Sequence, residues 1–191
     1  DERHIRYNDV YELKDIVCKE FNIEGNPIDK FVKMVTEIKP TQVTLVPDDI
    51  NALTSNAGWD TIKNEAYLKE IVDEFKSNNI RTSIFLDPKI ELLESVIKIN
   101  PDRVELYTEE YAKYFTKKKY EIIEKYMLCA NEISKNGIGI NAGHDLSLSN
   151  IKFFKNRIEN LIEVSIGHAL IGESLYFGLE ETIKKYLYHL S

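Results

Sequence analysis

The sequence has few residues that could form a disulfide framework or a structural metal site. Cys18 and Cys129 are the two cysteines among 191 residues, and neither has the CxxC or Cys/His spacing of a zinc site. We expect both to be small buried apolar residues of a protein in a reducing, cytoplasmic compartment. No apolar run approaches the roughly 20 residues that a membrane-spanning helix needs, so a membrane partner is not expected.

Positive charge is also scarce. Lys and Arg number 25 against 32 Asp and Glu, which gives a formal net charge of -7. A chain of this balance has no general attraction for nucleic acid or anionic lipid, so nucleic acid is not an expected partner. The sequence also contains no low-complexity tract and no linker rich in Pro, Gly or Ser. Residues 1–191 are therefore interpreted as a single domain.

The apolar pattern alternates between helical and strand spacing along the whole chain. One helix leads into six strand-helix units, and the strands are almost continuously apolar, as in a parallel sheet covered by helices. The pattern fits an open doubly wound sheet as well as a closed barrel. Proline after a capping residue, at Asn26-Pro27 and Asp87-Pro88, predicts two helix starts, and Asp60 is a third. The predicted strands are residues 21–25, 42–46, 80–86, 104–107, 137–141 and 161–166.

Polar residues capable of chemistry lie at or near the ends of the predicted strands. In parallel α/β sheets this edge is where ligands bind, so these side chains are candidates for one site. Each also has a structural explanation: Glu24 could cap a helix or face solvent, and Asp87 is better explained as a helix cap. Glu105 lies inside an apolar strand, where a carboxylate is costly unless it is paired or functional. The candidates are Glu24, Thr54, Asp87, Glu105, His144 and His168.

Two similar Gly-His turns, Gly143-His144 and Gly167-His168, end consecutive predicted strands. A lone histidine at such a turn is more often structural, but two at matching positions favour a functional pair. Glycine allows a ligand to approach the backbone, and amides at the start of the next helix can bind a phosphate. The long segment 47–59 is predicted to be a lid, with a surface loop anchored by Trp59 as the alternative.

With these motifs in view, the sequence resembles the pyridoxine 5'-phosphate synthase family over essentially its whole length. The family's motifs occur here in the same order and at similar intervals. The Asn-Ala-Gly-His and Ile-Gly-His-Ala motifs, together with the upstream Asn-Ile-Glu, make the match specific. The matching segments are residues 3–5, 22–24, 45–47, 53–54, 83–87, 104–108, 141–144 and 166–172.

The resemblance implies an α/β fold, a (β/α)8 barrel of the TIM type with extra helices, assembled as a homo-octamer. A barrel of this type typically needs about 250 residues, and six strands are recognisable here. The family's early Asn-x-Asp-His motif and an upstream catalytic histidine have no counterpart, and the sequence starts at Asp1 rather than at Met. We therefore expect the first two strands of the barrel to be absent from this sequence.

The resemblance also implies a reaction. The family condenses two phosphorylated small molecules, 1-deoxy-D-xylulose 5-phosphate and 3-amino-2-oxopropyl phosphate, to pyridoxine 5'-phosphate, inorganic phosphate and water, without a metal or redox cofactor. Ring formation needs repeated proton transfers, which carboxylates and imidazoles carry out well. By resemblance Glu24 is a general base, His144 is a general acid, and Glu105 stabilises charge in the transition states.

The same resemblance implies the binding residues. His4 and Thr54 correspond to the site for the deoxyxylulose phosphate, and Asp145, Gly167 and His168 to the site for the amino ketone phosphate. Asp145 stands where some relatives have Gly, and a carboxylate there repels a phosphate unless its side chain turns away. Two alternatives stay open: another phosphate-binding barrel, such as a sugar-phosphate isomerase or epimerase, and a catalytically inactive binding protein of this fold.

Overall fold

The structure, a computed structural model, describes residues 2–48 and 55–191. In the described residues, helices and strands alternate as the sequence predicts, with one leading helix and six strand-helix units, and the predicted C-terminal helix is divided into two helices at Gly178. The strands are β1 (Asn22–Gly25), β2 (Gln42–Leu45), β3 (Arg81–Leu86), β4 (Arg103–Tyr107), β5 (Gly139–His144) and β6 (Leu161–Ile166). The helices are α1 (Tyr7–Lys14), α2 (Asp29–Ile38), α3 (Glu65–Ser77), α4 (Leu93–Ile99), α5 (Glu109–Lys135), α6 (Ile151–Arg157), α7 (His168–Phe177) and α8 (Leu179–Leu190).

The sheet is parallel throughout, and each strand pairs with the next one along the chain, in the order β1-β2-β3-β4-β5-β6. An open doubly wound sheet reverses its strand order part-way, and this sheet does not. Sequential parallel strands joined by outer helices are the arrangement of a curled half-barrel. The barrel interpretation of the sequence therefore fits the observed topology, and the doubly wound alternative does not.

Side chains on the strands alternate between two faces of different character. Val43, Ile84 and Leu106 are fully buried beneath the helices, in two large apolar clusters. Thr44 and Glu105 alternate with them on the concave face, where both are also buried. The apolar face thus holds the helices on the sheet, and the concave face carries polar groups together with the buried Phe85.

The three predicted helix starts are each wrong by a few residues, and at Asn26 and Asp87 tertiary contacts occupy the capping groups. The Asp87 carboxylate accepts a hydrogen bond from the Gly58 amide at 3.3 Å and pairs with Lys89 Nζ at 2.9 Å, so Asp87 is not a helix cap. The Asn26 side-chain amide donates to the Asp48 carbonyl at 3.0 Å, and α2 begins only at Asp29. Asp60 begins a turn, and α3 starts at residue 65.

Two further predictions differ from the structure. The fifth strand was predicted over 137–141, but Gly137 has a φ of 76° and lies after the end of α5, so β5 begins at Gly139 and reaches His144. Cys129 is buried as expected, whereas Cys18 is exposed.

Within the described ranges, no helix is both long and apolar enough to cross a bilayer.

Candidate active site

Three histidines from distant parts of the chain meet at the carboxyl-terminal edge of the sheet. His144 is the last residue of β5, His168 begins α7 directly after β6, and His4 precedes α1. The ring centroid of His168 is 6.3 Å from that of His144 and 6.1 Å from that of His4. The two Gly-His turns therefore lie side by side, and the structure places His4 next to them.

Glu105 lies beneath this cluster, on β4, and is only 1% exposed. Gly143 makes room for it, because a β-carbon at Gly143 would overlap the Glu105 Oε1 atom. Ser165 on β6 donates a hydrogen bond to the carboxylate, and Oε2 has no hydrogen-bond partner within the described residues. Burial raises the pKa of Glu105 well above its ordinary value, and the charge of Glu24 raises it further. Glu105 thus keeps its proton to higher pH than a free glutamate does.

Glu24 on β1 is the second carboxylate of the site. Its side chain is open to water, but neighbouring atoms still crowd the carboxylate and partly desolvate it. This desolvation raises the pKa of Glu24, Asp48 raises it further, and His144 and Arg3 act in the opposite direction. The charge of Glu24 in turn disfavours ionisation of Glu105 and so adds to the raised pKa of the buried carboxyl.

His144 has an unusual backbone conformation for a residue with a side chain. Its φ is 97°, in a region that glycine adopts readily and residues with a side chain rarely adopt. The imidazole packs edge-on against Tyr107, with 5.2 Å between ring centroids, and its Nδ1 atom is 2.6 Å from Asp145 Oδ2. A strained residue with a fixed ring at a sheet edge is typical of a functional position.

Sequence reasoning missed Asp48, which joins three segments around Glu24. Asp48 Oδ2 accepts hydrogen bonds from Arg3 Nη2 at 2.7 Å and from Ser55 Oγ at 2.6 Å, and Asn26 donates to its carbonyl. The signal was present, because Asp48 follows the buried strand β2 after two residues. The rule that selected Glu24 and His144 from strand ends also applies to Asp48.

The other expected site residues are less well defined by contacts. Gly167 precedes α7 and is exposed, and a β-carbon there would have no heavy atom within 4 Å. Thr54 lies outside the described residues, so its assignment stays a prediction. Trp59 is buried and its indole N–H donates to the Leu45 carbonyl at 2.9 Å, which confirms it as an anchor. A lid function for residues 47–59 stays a prediction.

The whole chain matches a family model, described as "Pyridoxal phosphate biosynthesis protein PdxJ", over residues 1–191. The chain belongs to the PdxJ family. The resemblance drawn from the sequence motifs is therefore confirmed.

Curated members of the PdxJ family are similar to the chain over nearly its full length. The pyridoxine 5'-phosphate synthase of Christiangramia forsetii is 56% identical over 98% of this chain and 79% of the relative. That of Flavobacterium johnsoniae is 57% identical over the same shares. The relatives carry the name of a synthase, so the chain is similar to enzymes.

Solved structures of other families support the fold of this PdxJ chain. A monomeric form of phosphoribosylanthranilate isomerase from Thermotoga maritima aligns with a TM-score of 0.61 at 10% identity, covering 100% of this chain and 81% of that one. The tryptophan synthase α-subunit of Pyrococcus furiosus aligns with a TM-score of 0.59 at 16% identity, covering 95% and 71%. At these identities the similarity concerns the fold alone.

Proposed function

We propose that the chain is a pyridoxine 5'-phosphate synthase of vitamin B6 biosynthesis. Its substrates would be 1-deoxy-D-xylulose 5-phosphate and 3-amino-2-oxopropyl phosphate. The observation that carries the proposal is the convergence of Glu24, Glu105 and His144 on one concave edge in a chain 56% identical to a curated synthase. The proposal assigns the proton transfers of ring formation to these groups.

The electrostatics of the site suit a reaction that moves several protons. The amine of one substrate attacks the ketone of the other, and loss of water and of inorganic phosphate must accompany closure of the aromatic ring. Glu24, water-accessible and with a raised pKa, acts as the base that accepts protons from the substrate. His144 protonates the departing oxygen. Glu105, buried beside them, stabilises positive charge when it is ionised.

Phosphate binding is assigned to two neighbouring places at the same edge. Gly167 and His168 lie at the amino terminus of α7, which is ten residues long. The first amide groups of a helix have no hydrogen-bond acceptor within that helix and can bind an anion. They would hold the amino ketone phosphate. His4 would hold the deoxyxylulose phosphate together with Thr54. The 6.1 Å between the His4 and His168 rings supports two neighbouring binding places.

The test is an assay with both phosphorylated substrates that measures pyridoxine 5'-phosphate and released inorganic phosphate in equal amounts. The same protein is offered pentose and triose phosphates, to test for the isomerase or epimerase activity that this fold also supports. Stoichiometric product from the two substrates supports the synthase. Isomerisation without condensation, or ligand binding without turnover, would overturn it in favour of one of the two alternatives.

We also propose that the half-barrel closes with two further strands between β6 and β1. Supporting this, α7 has no buried residue, and Leu175 and Tyr176 are 83% and 87% exposed, which is unusual for apolar side chains of a barrel helix. Slow hydrogen exchange of β6 amides in the natural protein would support closure, and exchange at the rate of a free sheet edge would contradict it.

The homo-octamer and the cytoplasmic location stay predictions. Analytical ultracentrifugation tests the homo-octamer.

A further inference from the structure

The side chain of Asp145 lies against the imidazole of His144, not in open solution. Asp145 Oδ2 is 2.6 Å from His144 Nδ1, and the two side chains are 37% and 17% exposed. At this distance the carboxylate can accept a hydrogen bond from the imidazole. The contact therefore needs an explanation other than anion binding, which a carboxylate opposes.

The loop that carries Asp145 is itself fixed. Asn150 Nδ2 donates to the Asp145 carbonyl at 3.3 Å, and Asn150 Oδ1 accepts from the Ser147 amide at 2.9 Å. Asn150 is 4% exposed, and its carbonyl accepts a hydrogen bond from the buried Tyr111 hydroxyl at 2.8 Å. The carboxylate thus projects from a backbone that the protein core holds in place.

The imidazole is held on its other sides as well. The Tyr107 ring packs edge-on at 5.2 Å, the Phe85 ring is 6.5 Å away, and the backbone of His144 is in its constrained conformation. Burial raises the pKa of Tyr107 to about 12, so this neighbour stays neutral during the reaction. A carboxylate on one nitrogen of a ring packed in this way selects both the ring orientation and the tautomer.

We propose that Asp145 is a positioning residue that holds the Nδ1 proton of His144 and so makes Nε2 the nitrogen that exchanges protons with substrate. The inference rests on the proposed synthase function and gives Asp145 a role other than phosphate binding. It is chemically consistent, because a carboxylate accepts an N–H hydrogen bond and stabilises the imidazolium formed during turnover. The orienting contact acts through His144 and does not touch the reacting atoms.

The test combines a tautomer measurement with kinetics. Nitrogen-15 NMR of the ring nitrogens, with His144 assigned by comparison with His144→Asn, should show Nδ1–H as the main neutral form. In Asp145→Ala this preference should disappear, and kcat should fall roughly tenfold or more, because general acid-base catalysis contributes about 10² to 10⁴ in rate. KM for the amino ketone phosphate should stay the same or fall, since a negative charge leaves the site.

Asp145→Glu keeps a carboxylate and should restore part of both the tautomer preference and kcat. Asp73→Ala removes a carboxylate on α3 and serves as the surface control. Unchanged tautomers in Asp145→Ala would overturn the inference. So would unchanged kcat with a lower KM, which would mean that Asp145 only repels the phosphate. If the natural protein makes no pyridoxine 5'-phosphate at all, the synthase proposal fails, and the NMR result still decides whether Asp145 sets the His144 tautomer.

Discussion

The carboxylate of Glu105 lies directly over the backbone of Gly143 on the next strand. The close approach is possible because Gly143 has no side chain: a β-carbon there would overlap Oε1 and come within 3.0 Å of Ser165 Cβ. The Asn-Ala-Gly-His motif thus has two functions in this structure. Its histidine lies at the edge of the site, and its glycine makes space for the buried carboxylate.

Gly143→Ala should therefore displace Glu105 and disturb the strand that ends in His144. We expect a loss of stability of about 1–3 kcal/mol, the usual result of overpacking, and a fall in turnover of roughly tenfold or more. Thermal unfolding and the product assay measure the two effects. Gly172→Ala is the matched control, since a β-carbon there meets no heavy atom within 4 Å. Equal behaviour of the two variants would contradict the account of Gly143.

Glu105→Gln should make the protein more stable at neutral pH and less active. The pKa of Glu105 is raised on folding, so the folded state binds the proton more tightly than the unfolded state. Stability of the natural protein should fall as pH rises from about 4.5, the ordinary value, to the raised pKa of Glu105, and Glu105→Gln should lack this loss. A series of melting temperatures from about pH 4.5 upward measures this loss.

Glu163→Gln is the informative comparison for Glu105. Glu163 forms an ion pair with Arg103 on the concave face. The groups that shift the pKa of Glu105 include no such cation. The Glu163 variant should be less stable by about 1–3 kcal/mol, because it leaves Arg103 without its carboxylate.

A lower melting temperature for Glu105→Gln at neutral pH would show that Glu105 is not the destabilising carboxylate inferred here.

The pH dependence of turnover should report Glu24. A base with a raised pKa loses activity at low pH earlier than an ordinary glutamate would, and Asp48 is one cause of the elevation. Asp48→Asn removes that negative charge, so the acid limb of the pH-rate profile should move to lower pH. The exposed Asp15→Asn, which removes an equal charge at the end of α1, should leave the limb in place. A shift to higher pH in Asp48→Asn would refute the assignment.

His4 and His168 should divide between the two substrates. His4→Ala should raise KM for the deoxyxylulose phosphate, and His168→Ala should raise KM for the amino ketone phosphate, each by roughly tenfold, as loss of a charged hydrogen bond implies. His189→Ala, on α8, is the control and should change neither. If both variants raised both KM values equally, the two binding places would not be separate.

The order of elements was predictable from the sequence, but the exact helix starts were not. The strand over 161–166 was predicted with the bounds that the structure has, because Leu161, Ile162, Val164 and Ile166 make it predominantly apolar in spite of Glu163 and Ser165. Helix starts depend on one or two capping groups, and tertiary partners compete for them. Asp87, for example, accepts a hydrogen bond from the amide of Gly58, 29 positions earlier in the chain.

The site was partly predictable for the same reason. Glu24 and His144 were selected as candidates because chemistry-bearing residues at strand ends of parallel sheets meet at one edge, and Glu105 because a carboxylate inside an apolar strand is costly unless paired or functional. The pairing of Asp48 with Arg3 joins residues 45 positions apart, and the contact of Glu105 with Gly143 depends on the register of β4 and β5. Neither relationship has a signature in local sequence spacing.

The most direct test of the account is the rate of pyridoxine 5'-phosphate formation by the natural protein and by Glu24→Gln, with circular dichroism to show that the variant is folded. The central claim is that the concave edge carries out the proton transfers of the synthase reaction. We expect stoichiometric product from the natural protein and a fall in kcat of about 10² to 10⁴ in Glu24→Gln, the range for loss of a general base. A folded Glu24→Gln that forms product at the natural rate would contradict the claim.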